Sequence, residues 1–214
     1  MPRQFGKITF TPAVKAMQQR MGSRENYERF VENGADNNSI TPDLEKFISS
    51  MDGFYLGTVS SNGYPYIQFR GGKAGFLKIL NENTLGFADF RGNVQYISVG
   101  NLSENDKAFL FLMDYRHRHR LKILGRARIV EDDPELLALV QNRDYAATVE
   151  RVILFEIEGW DWNCPQHIPI RYSEAEVTEI VRTLSSTLGD RISELEQKLA
   201  TYNTQDLRKG DLKT

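Results

Sequence analysis

One cysteine in 214 residues leaves no pair to oxidise, so no internal disulfide holds this fold, and a lone Cys164 fits a reducing compartment. Strong charge of either sign is also missing. With 27 Lys and Arg against 29 Asp and Glu, the formal net charge is −2, so no overall basic field draws the chain to nucleic acid or anionic lipid. Any anion site must therefore be local. No apolar run approaches the roughly 20 residues needed to cross a bilayer. The opening MPRQFGKITFTP lacks the apolar segment of a secretory signal. A cytoplasmic protein is expected, one in which the sequons at Asn37 and Asn101 go unused. Histidine is scarce, and the spacing of His117, His119 and His167 matches no metal-site pattern, so no metal is expected. There is no Walker loop, no glycine fingerprint in a βαβ setting and no internal repeat.

What is present is ordinary globular chemistry, 40% hydrophobic and 26% charged, enough for one domain with a real core. Thr11-Pro12 and Thr41-Pro42 each place a helix cap beside a first-turn proline. The first predicts a helix running to Val31, the second an amphipathic helix through Met51 built on Leu44, Phe47 and Ile48. Strand-like runs follow. Phe54–Ser60 and Tyr64–Arg70 join through Asn62-Gly63, the strongest short hairpin signal. Phe76–Leu80 and Thr84–Ala88 form a second hairpin, and a helical stretch is expected from about Val94 to Leu102. Lys107–Tyr115, His119–Glu131 and Arg151–Trp162 complete the set, with an Asp133-Pro134 helix between the last two. Consecutive hairpins without βαβ rhythm predict a mainly β fold with peripheral helices, a six-stranded antiparallel split β-barrel. The expected organisation is a helical extension over 1–40, the barrel over 41–172, and a C-terminal helix and tail over 173–214.

That last helix opens with Ser173 and Glu176 in capping-box spacing. Val177, Val181, Leu184, Leu188, Ile192, Leu195 and Leu199 then recur at steps of 4, 3, 4, 4, 3 and 4, a near-heptad seam with one stutter. Such a seam suits either the helix's own barrel or, as favoured here, a second subunit.

Four segments carry candidate chemistry. On Tyr64–Arg70 strand alternation puts Tyr66, Gln68 and Arg70 on one face. Arg70-Gly71-Gly72-Lys73 then combines two cations with two glycines that permit close backbone approach to an anion. Asp89, Arg91, Gly92 and Asn93 form a second cationic glycine turn just before a predicted helix N-terminus, where free N–H groups favour phosphate. Taken singly, each of these residues is equally well explained by structure, Asn93 as an N-cap and Gly92 as a turn. The basic turn from Arg116 to Arg120 reads as a solvated hairpin or as a site for an acidic ligand. The loop Gly159–Arg171, with Trp162, Cys164, Gln166 and His167, has the wrong composition for a core strand and suits ligand contact. Cys164 and His167 lack the third group that nucleophilic catalysis requires.

In their order, IQFRGGKAGFLKIL, LGFADFRGNVQYISVGNL, AFLFLMDY with LKILGRARIV, and WDWNCPQHIPIRY resemble the pyridoxamine 5'-phosphate oxidase-like FMN-binding proteins over about Leu44 to Tyr172. The resemblance implies a split-barrel homodimer with FMN at the subunit interface. It implies that Gln68 and Arg70 line the flavin and its phosphate, and that Asp89, Arg91, Asn93 and Gln95 give phosphate and ring contacts. Arg120 and Leu121 would stand near the ring, and Trp162, Gln166 and His167 in the terminal loop. Gly71, Lys73 and Gly92 join this set from the residue reading. Two departures stand out. Val94 occupies a position where such proteins carry a second cation, which Lys73 or Arg120 would have to replace. The arginine-containing C-terminal motif that holds pyridoxal phosphate is absent, so vitamin B6 synthesis is not expected. The expectation is an FMN-dependent oxidoreductase on a small molecule; a flavin carrier or sensor, or a haem- or deazaflavin-binding barrel, are the alternatives.

Overall fold

The computed structural model describes residues 3–142 and 144–210, with side chains as far as 201. It divides into two compact units, Met1–Pro169 and Ile170–Thr214.

The first unit opens with α1 (Gln4–Thr9), α2 (Pro12–Arg20) and α3 (Arg24–Glu32). The one helix expected to Val31 is two, because the chain reverses at Gly22 with φ 72, a backbone state open to glycine at no steric cost. Helix α1 has no side-chain cap and no apolar period, so nothing local announced it. Residues 1–40, read as an extension, belong to the same compact unit as the barrel. The link is specific. Buried Asn37 accepts a hydrogen bond from the Phe5 amide at 3.3 Å and donates to the Trp160 carbonyl, while the Trp160 indole donates to Ser39 at 2.8 Å. A Cβ on Gly159 would stand 2.7 Å from the Phe5 nitrogen, so the approach of α1 to the sheet requires glycine there. Helix α4 (Pro42–Ser50) starts as its sequence predicts, with the Thr41 hydroxyl accepting from the Leu44 amide at 3.3 Å.

The sheet has β1 (Gly53–Val59), β2 (Pro65–Gly71), β3 (Lys78–Ile79), β4 (Thr84–Phe90), β5 (Lys107–Asp114), β6 (His119–Val130) and β7 (Val149–Trp162). All neighbours are antiparallel, in the order β2-β1-β5-β6-β7-β4-β3. Seven strands replace the expected six. Of Phe76–Leu80 only Lys78 and Ile79 pair, because Phe76 and Leu77 turn into the core instead. Phe54, Leu56, Phe87, Leu110, Ile123 and Phe155 are the centre of that core. Helix α5 (Ile97–Glu104) lies over β1 and β2, where Asn101 donates to the buried Thr58 hydroxyl at 2.9 Å and Ser98 donates to Gln68 at 2.8 Å. It starts later than expected. Val94 and Tyr96 both take left-handed φ values, 55 and 53, which helical backbone does not tolerate. Helix α6 (Pro134–Val140) is capped by Asp133, which accepts from the Leu136 amide at 2.9 Å.

Strands β2 and β3 are the two ends of the sheet order. Curling brings β2 and β1 back to β4, and contact there is made by side chains: Arg70 of β2 pairs with Asp89 of β4, and Phe54 packs edge-on against Phe87 at 5.1 Å. Among the described residues no ladder joins β2 to β4. The barrel is split along this line, and polar side chains bridge the gap.

The second unit is dominated by α7 (Glu174–Gly210). Its capping box is reciprocal: Glu176 accepts from the Ser173 amide at 2.8 Å while the Ser173 hydroxyl accepts from the Glu176 amide at 3.3 Å. The tail beyond residue 210 lies outside the described residues. Among those described, no helix is long and apolar enough to cross a membrane.

Candidate functional site

The register of β4 on β7 sets Asp89 opposite Arg151, and closure of the barrel adds Arg70 from the far edge. Asp89 accepts from Arg70 through Oδ1, and its Oδ2 stands 3.6 Å from Arg151 Nε. All three side chains are largely buried, at 13%, 12% and 5% exposure for Arg70, Arg151 and Asp89. Arg151 also bonds Glu150 at 2.9 Å and lies 5.1 Å over the Tyr96 ring, whose hydroxyl donates to Glu150 at 3.0 Å. Arg91 is mostly exposed and reaches Glu150 at 3.8 Å. Arg70 and Arg91 thus join one network, Arg70–Asp89–Arg151–Glu150–Arg91, rather than facing water on opposite sides. Burial pushes the Asp89 carboxyl above its ordinary range, against the opposing pull of Arg70 and Arg151. The hydrogen bond to Glu150 raises the Tyr96 phenol.

Three guanidinium groups, Arg70, Arg91 and Arg151, face two carboxylates, Asp89 and Glu150, with the exposed Glu131 3.8 Å from Arg151 on the outer side. Arg70 Nε and Arg151 Nε are buried without a hydrogen-bond partner, and buried donors left unpaired are expensive. A niche of about 40 Å³ opens beside Arg70, lined by Gln68, Gly92, Asn93, Tyr96 and Ser98 and also by the carboxylates Asp89 and Glu150. A Cβ on Gly92 would meet nothing within 4 Å. Its donors suit a small anionic head such as a phosphate, with Asp89 and Glu150 already engaged by Arg70, Arg91 and Arg151. The niche is far too small for a flavin ring, since ligand pockets of that class run to about 300–1,000 Å³.

A larger cleft of about 870 Å³ lies over the other face of β1, β2 and β5, on Tyr55, Ile67, Phe109 and Phe111, with Arg120 and His167 among its walls. Its surface is apolar, and Ile67 and Phe69 of β2 stand exposed at 67% and 58%. Arg120 Nε is a further buried donor without a partner. Strand β2 contributes to both, Tyr66 and Ile67 to the cleft and Gln68 and Arg70 to the niche.

The residues singled out in the sequence fall into four groups. Gln68, Arg70, Asp89, Gly92 and Asn93 meet at the niche, with Arg91 joined through Glu150. Arg120 and His167 meet in the larger cleft. Trp162 is in neither. It packs edge-on against Phe47 at 4.8 Å, in a third cleft with His117 and His119. Gly71, Lys73, Gln95, Leu121 and Gln166 line none of these clefts. The Leu121 side chain is fully buried in the core, so only its backbone could face a ligand. The Gly71-Gly72 turn has a packing explanation: Gly72 donates to the Asp52 carbonyl at 2.9 Å, and a Cβ there would meet Phe76 at 2.9 Å. Asn93 does not cap α5, which begins at Ile97; its side chain accepts from the Gln95 amide at 3.3 Å. Arg151, Glu150, Tyr96 and Ser98 went unnoticed in the sequence. Arg151 enters through its pairing with Asp89 across β4 and β7, Glu150 and Tyr96 through Arg151, and Ser98 through Gln68, and no local pattern encodes these long-range contacts.

A split antiparallel β-barrel with buried arginines at its seam is the class of protein that the fold defines. The model of the pyridoxamine 5'-phosphate oxidase family matches residues 40–161, and the chain belongs to that family. No curated protein matches it. Among solved structures it is similar to HupZ from Group A Streptococcus (17% identity over 62% of this chain and 99% of that one, TM-score 0.47). It is also similar to a protein from Clostridium acetobutylicum related to general stress protein 26 of B. subtilis (17%, 63% and 94%, TM-score 0.43). A third is an FMN-binding protein from Syntrophomonas wolfei (13%, 68% and 97%, TM-score 0.44).

Proposed function

We propose that this protein is an FMN-binding flavoprotein, an oxidoreductase acting on a small molecule, and that it works in the cytoplasm as a homodimer. The observation that carries the reading is the buried Arg70 guanidinium, its Nε without a hydrogen-bond partner, at a small niche and with Arg151 behind Asp89, in a chain of this family. Arg70 binds and orients the phosphate, Asp89 holds the Arg70 and Arg151 guanidiniums in place, and Arg151 adds positive charge from behind Asp89. Arg151 takes over the second positive charge that Val94 does not supply. Gln68, fixed by Ser98, offers its amide NH₂ to the same ligand. The apolar face over Tyr55, Ile67, Phe109 and Phe111 excludes water, and Arg120 and His167 offer polar groups there. FMN supplies the hydride chemistry when bound, so no acid–base pair need be built into the protein. The site is complete only when a second copy covers the cleft.

The test is direct. The purified full chain should show flavin absorption bands, with FMN identified by mass after release, and the colour should bleach with a reduced pyridine nucleotide and return with an acceptor. Haem or a deazaflavin in its place would overturn the cofactor assignment, and bound FMN that no donor reduces would make the protein a carrier.

A further inference from the structure

We propose that α7 pairs with α7 of a second copy as a parallel, in-register, two-stranded coiled coil built on an eleven-residue repeat. The stutter in the seam is periodic. Val177, Leu188 and Leu199 stand eleven apart, as do Val181 and Ile192, and Leu184 and Leu195. Eleven residues over three turns is about 3.67 per turn, close to the straight-helix value of 3.6, so the stripe runs nearly parallel to the axis with slight right-handed drift. Strict heptads would wind it left-handed.

The seven seam residues are exposed by 47% to 61%. A 37-residue helix with this stripe in water is poorly supported by its own sequence. Ser185, Ser186, Thr187 and Gly189 are weak helix formers clustered mid-helix, and a Cβ on Gly189 would meet nothing within 4 Å. Packing must supply what propensity does not.

Flanking charge suits a second copy of the same helix as the occupant. Arg191 flanks the seam just before Ile192, and Glu196 flanks it just after Leu195. In a parallel pair these two flanks face each other across the interface at a five-residue offset, so each Arg191 meets the partner helix's Glu196, a contact made twice in the dimer by symmetry. Within one helix Glu194 already takes both Arg191 and Lys198 at 2.5 Å, and Glu196 makes no ion pair among the described residues. The inference is independent of the flavin reading.

The test uses the full chain in a Cys164→Ser background. Val181→Cys and Leu195→Cys, placed off-centre, should each form a disulfide-linked dimer alone under mild oxidation. Adding Glu196→Arg should slow cross-linking by about fivefold or more, and adding Arg191→Glu to that variant should restore it. Failure of either cysteine variant to cross-link alone, cross-linking only when the two are mixed, or indifference to the charge changes would each overturn the proposal.

Discussion

Arg70 and Arg91 belong to one network but differ sharply in what their loss should do. Arg70 is buried against Asp89, so Arg70→Ala removes a charge-assisted hydrogen bond and leaves Asp89 only Arg151 at 3.6 Å, a loss worth about 1.5–3 kcal/mol. Flavin loss in that variant would be confounded with unfolding. Arg91 is 63% exposed, and Arg91→Ala should change stability by no more than about 0.5 kcal/mol. It should nevertheless weaken FMN retention severalfold if the network receives a phosphate. Denaturant midpoints and bound-flavin ratios, measured on both variants, separate the two effects; full retention with Arg91→Ala would remove it from the site. Asp89 adds a pH signature. Its folded carboxyl titrates above the ordinary 3.8 because burial outweighs the arginines. Between those two values the folded state holds more protons than the unfolded one, so this group's contribution to stability falls as pH rises through the window. The margin of wild type over Asp89→Asn should therefore narrow from below pH 3.8 toward neutrality. A margin that widens would mean that ion pairing dominates burial.

At the scale of elements, the β6–β7 pairing turns on one residue. The register slips between Leu124 and Gly125, and a Cβ on Gly125 would stand 1.9 Å from the Glu156 carbonyl oxygen. Backbone cannot yield as a flexible side chain can. Gly125→Ala should cost at least about 1–3 kcal/mol in chemical denaturation, and a neutral result would show that the strands part easily here. This bulge was not legible in sequence, because LGRARIV alternates as smoothly as any strand. Local devices were legible: the Thr41 and Asp133 caps, the Ser173–Glu176 box and the Asn62-Gly63 hairpin each depend on residues within four positions. Long-range choices were not. Whether Phe76 pairs in a ladder or packs on Phe54 depends on the closed barrel, where the two rings stack at 5.5 Å. The site divides in the same way. Gln68, Arg70 and Asp89 could be singled out by type and position, whereas Arg151 entered only through inter-strand register. The glycines after Arg70 looked like an anion cradle but serve the packing of Phe76 and Phe69.

At the scale of the whole molecule, the barrel unit carries an unsatisfied surface of its own. Tyr55 and Phe69 are paired across β1 and β2 and pack edge-on at 5.4 Å, and Ile67, Gly57 and Phe109 form the next row. A contiguous exposed apolar face of this kind is the usual mark of an interaction surface, and on the reading proposed above a second copy covers it. Ile67→Glu tests this because its effect differs between assemblies. On a free monomer, residue 67 is 67% exposed and the substitution should be worth no more than about 0.5 kcal/mol. In a dimer it buries a carboxylate in an apolar interface, where an unpaired charge is not tolerated. Sedimentation of a form truncated before α7 isolates this surface from helix pairing. Wild-type barrel should sediment as a dimer that retains flavin, and Ile67→Glu as a folded monomer that has lost it. A monomeric wild-type barrel with tightly bound FMN would show that one chain suffices, and the apolar face would then need another occupant.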